Sequence, residues 1–178
     1  MTKEEEMAYG VFVKDRVIVE DPAQANRLFS KGWFGALKEN KLILSMNESL
    51  FLIEREKLEV KTQAGKKIDA KAFMKKATSE EKRFPTRYAV YSDIRNRGYI
   101  TKTALKYGAD FRVYERGAKP GEDHAKWVLY AVRENESFDW RKFAAMMRVA
   151  HSVRKTLLVG IVDDEGDVTY YEINWTRP

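Results

Sequence analysis

The 178-residue chain contains no cysteine, and its only histidines are His124 and His151. Without thiols there is no disulfide, no thiolate metal site and no cysteine nucleophile. Two imidazoles cannot build a multi-histidine metal centre. A Gly-rich phosphate loop, a zinc-ligand spacing and a nucleophile elbow are all missing as well. No apolar run approaches the roughly 20 residues that a membrane span requires, and the acidic start MTKEEEMAYG lacks the apolar stretch of a signal peptide. These absences predict a cytoplasmic chain with no membrane partner, whose chemistry rests on oxygen and nitrogen groups.

Hydrophobic residues make up 44% of the chain and charged residues 34%, enough to bury a core beneath a heavily ionised surface. Lys and Arg outnumber Asp and Glu by 33 to 27, for a net charge of +6, which suits a polyanionic partner. No internal repeat or low-complexity segment occurs.

Tyr9 to Glu20 carries two β-branched and aromatic runs around Lys14-Asp15 and predicts a hairpin. Asp21-Pro22 supplies an N-cap and a proline at the first helical position, with Gly32 as the expected stop. Strands are expected at 41–44 and 58–62, a helix capped by Ser45 or Asn47 between them, and a short helix over 69–76. Charge rises through ATSEEKRFPT, which sets a domain boundary near residues 82 and 83. Beyond it, Tyr88, Tyr91 and Ile94 recur at helical spacing and Gly98 ends the helix. Residues 99–103, 110–115 and 125–132 read as strands. A helix from an N-cap at Ser137 directs Phe143, Met146, Met147, Ala150 and Val153 toward a core. Residues 156–162 and 167–175 form a hairpin around Asp164-Glu165-Gly166. The expected architecture is a small mixed α/β domain, 1–82, followed by a second mixed domain, 83–178.

The stretch KYGADFRVYE, 106–115, is followed by His124 and by a basic helix that ends in Arg154-Lys155. Five basic residues and no acidic one lie between Arg141 and Lys155. Tyr107-Gly108-Ala109-Asp110-Phe111, Tyr114-Glu115-Arg116-Gly117, His124 and the run Arg148 to Lys155 resemble, in this order, the catalytic half of archaeal tRNA-splicing endonucleases. The resemblance covers residues 87 to the C-terminus, and the N-terminal part fits in size and element order. It implies a C-terminal mixed-sheet domain like a restriction-endonuclease core. The implied substrate is the bulge-helix-bulge of precursor tRNA, and no metal or cofactor is implied.

By that resemblance Tyr114, His124 and Lys155 are the catalytic residues of an internal transesterification. A ribose 2′-oxygen attacks the adjacent phosphorus, leaving a 2′,3′-cyclic phosphate and a 5′-hydroxyl. An imidazole titrates near neutrality, so His124 suits the general acid. Lys155 suits stabilisation of the phosphorane charge. A free phenol is mostly protonated at neutral pH, so Tyr114 as base needs a nearby cation. The resemblance also implies an arginine pair around a flipped bulge base, Arg148 being the first, with Arg177 the candidate for the second and Trp175 a neighbouring stacking surface. Arg95, Arg97, Lys102 and Lys106 are expected on RNA phosphates. His151, on an apolar helix, reads as a packed structural histidine.

The acidic run Asp163, Asp164, Glu165 and Asp167 matches a loop by which such enzymes assemble as tetramers, and also reads as ordinary turn chemistry. A homotetramer is expected, with a heterotetramer containing a related subunit as the alternative. Two rival functions remain at this stage. One is a non-catalytic RNA-binding or structural subunit. The other is a magnesium nuclease built on Asp110, Glu115 and the 163–167 carboxylates.

Overall fold

The computed structural model describes residues 7–176. The chain divides into two compact units, Met1–Pro85 and Thr86–Pro178, each with its own sheet.

In the first unit β1 (Ala8–Val13) and β2 (Arg16–Val19) form the expected hairpin, with Lys14 in the left-handed conformation at the turn. Helix α1 (Pro22–Gly32) begins where Asp21 accepts from the Gln24 N–H. Its left-handed C-terminal residue is Trp33, not the expected Gly32. Gly32 serves a different need, because a Cβ there would come within 2.3 Å of the Phe34 ring. Strands β3 (Ala36–Lys38) and β4 (Lys41–Ser45) lead into α2 (Met46–Glu54), where Ser45 and Glu48 complete a reciprocal capping box. β5 (Leu58–Thr62) runs parallel to β1, the two-residue β6 (Lys67–Ile68) pairs with β5, and α3 (Ala70–Glu80) starts from Asp69. The sheet order is β3-β4-β2-β1-β5-β6. Buried Val17, Val19, Leu42, Leu44, Leu50 and Phe73 form its core.

Helix α4 (Phe84–Asn96), which lies in the second unit from Thr86 on, has Pro85 in its first turn, where the missing N–H breaks no helical bond. Tyr88, Tyr91 and Ile94 are buried as their spacing predicts, and Gly98 closes the helix with φ 86°. Strands β7 (Ile100–Thr103), β8 (Phe111–Tyr114), β9 (Trp127–Arg133), β10 (Thr156–Val162) and β11 (Val168–Ile173) form a sheet ordered β11-β10-β9-β8-β7. The β9–β10 pair is parallel and every other pair antiparallel. A parallel pair requires a crossover, and α5 (Trp140–Ser152) supplies it. Its cap is Asp139, which accepts from the Lys142 N–H at 2.6 Å, two residues beyond the expected Ser137.

Side-chain alternation divides the second sheet into two faces. Met146 and Ala150 of α5, with Phe143, Met147 and Val153, pack on Val128 and Val132 of β9 and Leu157 and Val159 of β10. On the other face Tyr91 of α4 meets Phe111, and Gly160 leaves room for Val90, which a Cβ would approach to 3.0 Å. Tyr170 donates to the Asp93 carboxylate at 2.9 Å across this second face. Burial and that hydrogen bond push its phenol far above the ordinary range.

Candidate active site

The register of three strands sets the geometry. Val113 of β8 pairs with Trp127 of β9, and Trp127 pairs with Thr156 of β10. One step further toward the same end of the sheet stand Tyr114, Lys126 and Lys155. Strand spacing puts the backbones of Tyr114 and Lys155 about 10 Å apart.

Tyr114 is the last residue of β8, its ring buried at 4% exposure. His124 is exposed in the segment that enters β9. The loop before it is closed by Asp123, which accepts from the Lys119 N–H at 2.7 Å. Two bonds fix that segment to both neighbouring strands. Lys126 N–H donates to the Val113 carbonyl at 2.9 Å, and the Lys155 ammonium donates to the Ala125 carbonyl at 2.8 Å. The residue after His124 is therefore held by Lys155, and the residue after that by β8. Tyr114, His124 and Lys155 converge on one end of the sheet.

Lys155 owes its position to the end of α5. It lies three residues past the helix, where Lys155 N–H reaches the Ala150 carbonyl at 2.9 Å and Arg154 N–H reaches His151 at 3.0 Å. This double closure is a Schellman motif, with Arg154 in the left-handed position at φ 54°. A branched residue there would be strained, and an arginine pays a smaller cost than it would in a run. The stop thus turns Lys155 away from the helix and into β10.

A cleft of about 450 Å³ opens beside Lys155, lined among others by Met147, His151, Arg154 and Trp175. His151 is exposed and stacks on Trp175, ring centroids 4.9 Å apart and 31° between planes. The expectation of an ordinary packed histidine is corrected: its ring packs, but at the mouth of a cationic cleft. Arg148 is exposed one turn earlier on α5. Arg177 lies outside the described residues.

Other expected positions have different occupations. Arg97 is tied to Asp93 on α4 at 2.7 Å, within the Tyr170 network, so its charge is already matched. Asp110 is buried against Arg87 at 3.0 Å and accepts from the Ala131 N–H at 2.9 Å. Glu115 pairs with Lys126 at 2.8 Å. Asp163 accepts from Glu165 and Asp167 N–H within its own turn, each at 2.9 Å, and Asp164 meets Arg133 at 3.4 Å. The carboxylates invoked for a magnesium site are thus dispersed, and no cluster of three metal-ligating side chains occurs among the described residues. The acidic turn caps the far end of β10, about 23 Å along the strand from Lys155.

Arg112 went unnoticed in the sequence. Two residues before Tyr114 on one strand, it shares Tyr114's face by simple alternation. Its guanidinium carbon is 5.9 Å from the Tyr114 ring centroid.

The two-unit α/β chain thus brings Tyr114, the segment holding His124, and Lys155 to one end of its second sheet. The family model of the tRNA intron endonuclease catalytic C-terminal domain matches residues 84–170, and that of the N-terminal domain matches residues 8–74. The tRNA-splicing endonuclease of Thermococcus kodakarensis is 40% identical over 163 residues, covering 92% of this chain and 95% of its own. That of Methanothermobacter thermautotrophicus is 40% identical over 162 residues, covering 91% and 94%. That of Nanoarchaeum equitans is 43% identical over 141 residues, covering 76% and 90%. The chain belongs to the tRNA-splicing endonuclease family of enzymes, through both its N-terminal and its catalytic domain. Among the described residues no helix is long and apolar enough to cross a membrane.

Proposed function

We propose that this chain excises introns from precursor tRNA by cutting both strands of a bulge-helix-bulge through metal-independent transesterification. The observation that carries the reading is the hydrogen bond from Lys155 to the Ala125 carbonyl, which ties the cation to the segment presenting His124 beside the end of Tyr114's strand.

In the reaction Tyr114, as its phenolate, takes the proton of the 2′-hydroxyl, whose oxygen bonds to the adjacent phosphorus. The bond from phosphorus to the 5′-oxygen breaks, and His124 supplies the proton that this leaving oxygen needs. Lys155 balances the charge that builds on the phosphorane oxygens. The products are a 2′,3′-cyclic phosphate and a 5′-hydroxyl, with no water consumed. Trp175 lines the cleft beside Lys155 and Arg148 is exposed on α5 one turn before His151, and between such planar groups an unpaired bulge base can stack while its helix is recognised by shape. Arg177 is the second guanidinium of that clamp.

Two bulges need two sites, which favours assembly as a homotetramer. Strand β11 is the outer edge of its sheet and exposes Tyr171, an open ladder suited to pairing with another copy. Glu165 and Asp167, exposed at the tip of the β10–β11 hairpin, suit docking on a basic surface. A heterotetramer with a related subunit uses the same surfaces.

Replacing His124 with alanine tests the assignment. Cleavage is expected to fall at least ~100-fold, the scale of a lost general acid, while RNA affinity persists. Undiminished cleavage would remove His124 from the mechanism. A wild-type protein that binds this RNA without cutting it, alone or with a partner subunit, would identify a non-catalytic subunit instead.

A further inference from the structure

Several cations near the second sheet are matched by carboxylates: Arg87 by Asp110, Arg97 by Asp93, Lys126 by Glu115 and Arg133 by Asp164. Lys106, Arg112 and Lys155 are different. None of the three has an ion pair among the described residues, and the positive charge of each favours ionisation of one phenol, that of Tyr107.

Tyr107 ends a short 3₁₀ turn (Leu105–Tyr107) between β7 and β8. Its ring packs against the core beneath α5, which fixes where the hydroxyl stands. The Lys106 ammonium is 4.9 Å from the ring centroid. Lys106 beside it, then the fields of Arg112 and Lys155, hold the Tyr107 phenol below its ordinary range. Positive potential from three separate segments therefore converges there.

Arg112 lies on β8 two residues before Tyr114, its guanidinium carbon 5.9 Å from that ring's centroid. It pairs in register with Val128, a member of the α5 core, so its side chain leaves the sheet on that face. Its Nε is buried and has no hydrogen-bond acceptor among the described residues. A guanidinium remains charged at any physiological pH, and a buried N–H without an acceptor is unfavourable. Tyr114 stands two residues on along β8 and Lys102 of β7 is the register partner of Arg112, while Tyr107 and Lys106 lie in the turn joining those strands and Lys155 stands at the start of β10. His124, Lys126 and its partner Glu115 lie on the adjoining segments. Only the Glu115 carboxylate is anionic, and it is occupied by Lys126.

We propose that Arg112 is a further substrate-binding residue, whose guanidinium donates to a non-bridging phosphate oxygen of the RNA at the bond cut beside Tyr114 and Lys155. Tyr107, whose phenol feels the same positive charge, reports on that position. The planar fork of a guanidinium matches two oxygens of one phosphate, which an ammonium cannot do. This inference rests on the assignment of Tyr114 and Lys155 to the reaction centre.

The test uses the full chain and a bulge-helix-bulge RNA made uncleavable by 2′-deoxy substitution at both cut positions, titrated over a salt series. For Arg112→Gln, affinity is expected to fall about 10-fold and the slope of log affinity against log salt to drop by about one. Arg112→Lys should restore the slope and only part of the affinity. Arg97→Gln, whose wild-type charge is matched by Asp93, should change neither. In the wild-type protein, adding this RNA should move the Tyr107 phenol titration, followed by ring-carbon NMR, to higher pH. An unchanged affinity and slope in Arg112→Gln, or an unmoved Tyr107 titration, overturns the proposal even if the wild-type protein cuts normal RNA. Failure of the wild-type protein to cut would count against the reaction-centre assignment itself.

Discussion

Asp110 offers the sharpest separation between a structural carboxylate and a metal ligand. Its side chain and that of Arg87 are 8% and 9% exposed and 3.0 Å apart, and its second oxygen accepts from the Ala131 N–H at 2.9 Å. One residue therefore ties the start of β8 to α4 and to β9. Asp110→Ala removes a counter-charge from a buried guanidinium and a hydrogen-bond acceptor from the Ala131 amide. Breaking a buried pair on one side costs about 3–5 kcal/mol. For a domain of this size each kcal/mol lowers the melting temperature by about 4–8 °C, so a drop of about 12 °C or more is expected. Calorimetry of the full chain reads it in the transition of the C-terminal unit. Replacing both members with apolar residues, Arg87→Met with Asp110→Leu, should recover much of the loss, because no unpaired charge remains. A single variant within 1 kcal/mol of wild type would refute the reasoning. If Asp110→Ala keeps its melting temperature and loses all cleavage until magnesium is raised, Asp110 is a ligand after all.

Other outcomes follow from the same geometry. Arg154→Gly should stabilise by up to about 1 kcal/mol, because glycine adopts the left-handed conformation freely, whereas Arg154→Val should destabilise and slow cleavage by displacing Lys155; chemical denaturation and single-turnover kinetics distinguish the two. Tyr170 has a folded pKa raised above its ordinary value of 10, so its contribution is fully present below pH 10 and is lost as pH rises further. Tyr170→Phe should therefore flatten the decline of stability above pH 10 without abolishing it, since burial also raises Tyr130; denaturant midpoints across pH 8 to 11 check this. Trp175→Ala should weaken binding of the bulge RNA by about 1–3 kcal/mol, the value of one base stacked on an aromatic ring, and barely affect a fully paired duplex; direct titration of both RNAs reads the difference.

Where local chemistry decides, the sequence was informative. Asp21-Pro22 and Ser45 start helices because their side chains meet backbone N–H groups three residues on, and that spacing is visible in the chain. The core face of α5 was equally plain from its helical period. Where two residues compete for one task, or where a partner is remote, pattern was insufficient. Ser137 and Asp139 are both competent caps, and the choice depends on how far the β9–α5 connection must reach. Gly32 looks like a helix stop, but its small size is needed by the ring of Phe34. The short strands β3 and β6 have too few residues to carry a period.

The candidate site divides the same way. Tyr114, His124 and Lys155 stand out through a motif, but the bond linking Lys155 to Ala125 spans 30 residues and depends on the parallel register of β9 and β10. Arg97 looked free for RNA although Asp93, four residues earlier, was a legible helical partner; only the phenol of Tyr170 joins the pair from across the folded sheet. Arg112 could have been found by counting back two residues from Tyr114. What no pattern contains is the burial of its Nε without an acceptor.

The most direct measurement is incubation of the purified protein with a bulge-helix-bulge precursor tRNA in excess EDTA, followed by analysis of both product ends. Expected are cuts in both bulges that leave 2′,3′-cyclic phosphate and 5′-hydroxyl termini, at a rate unaffected by the chelator. Cleavage that appears only when magnesium is restored, or that leaves 5′-phosphate and 3′-hydroxyl ends, would contradict the assignment of Tyr114, His124 and Lys155 as a metal-independent site.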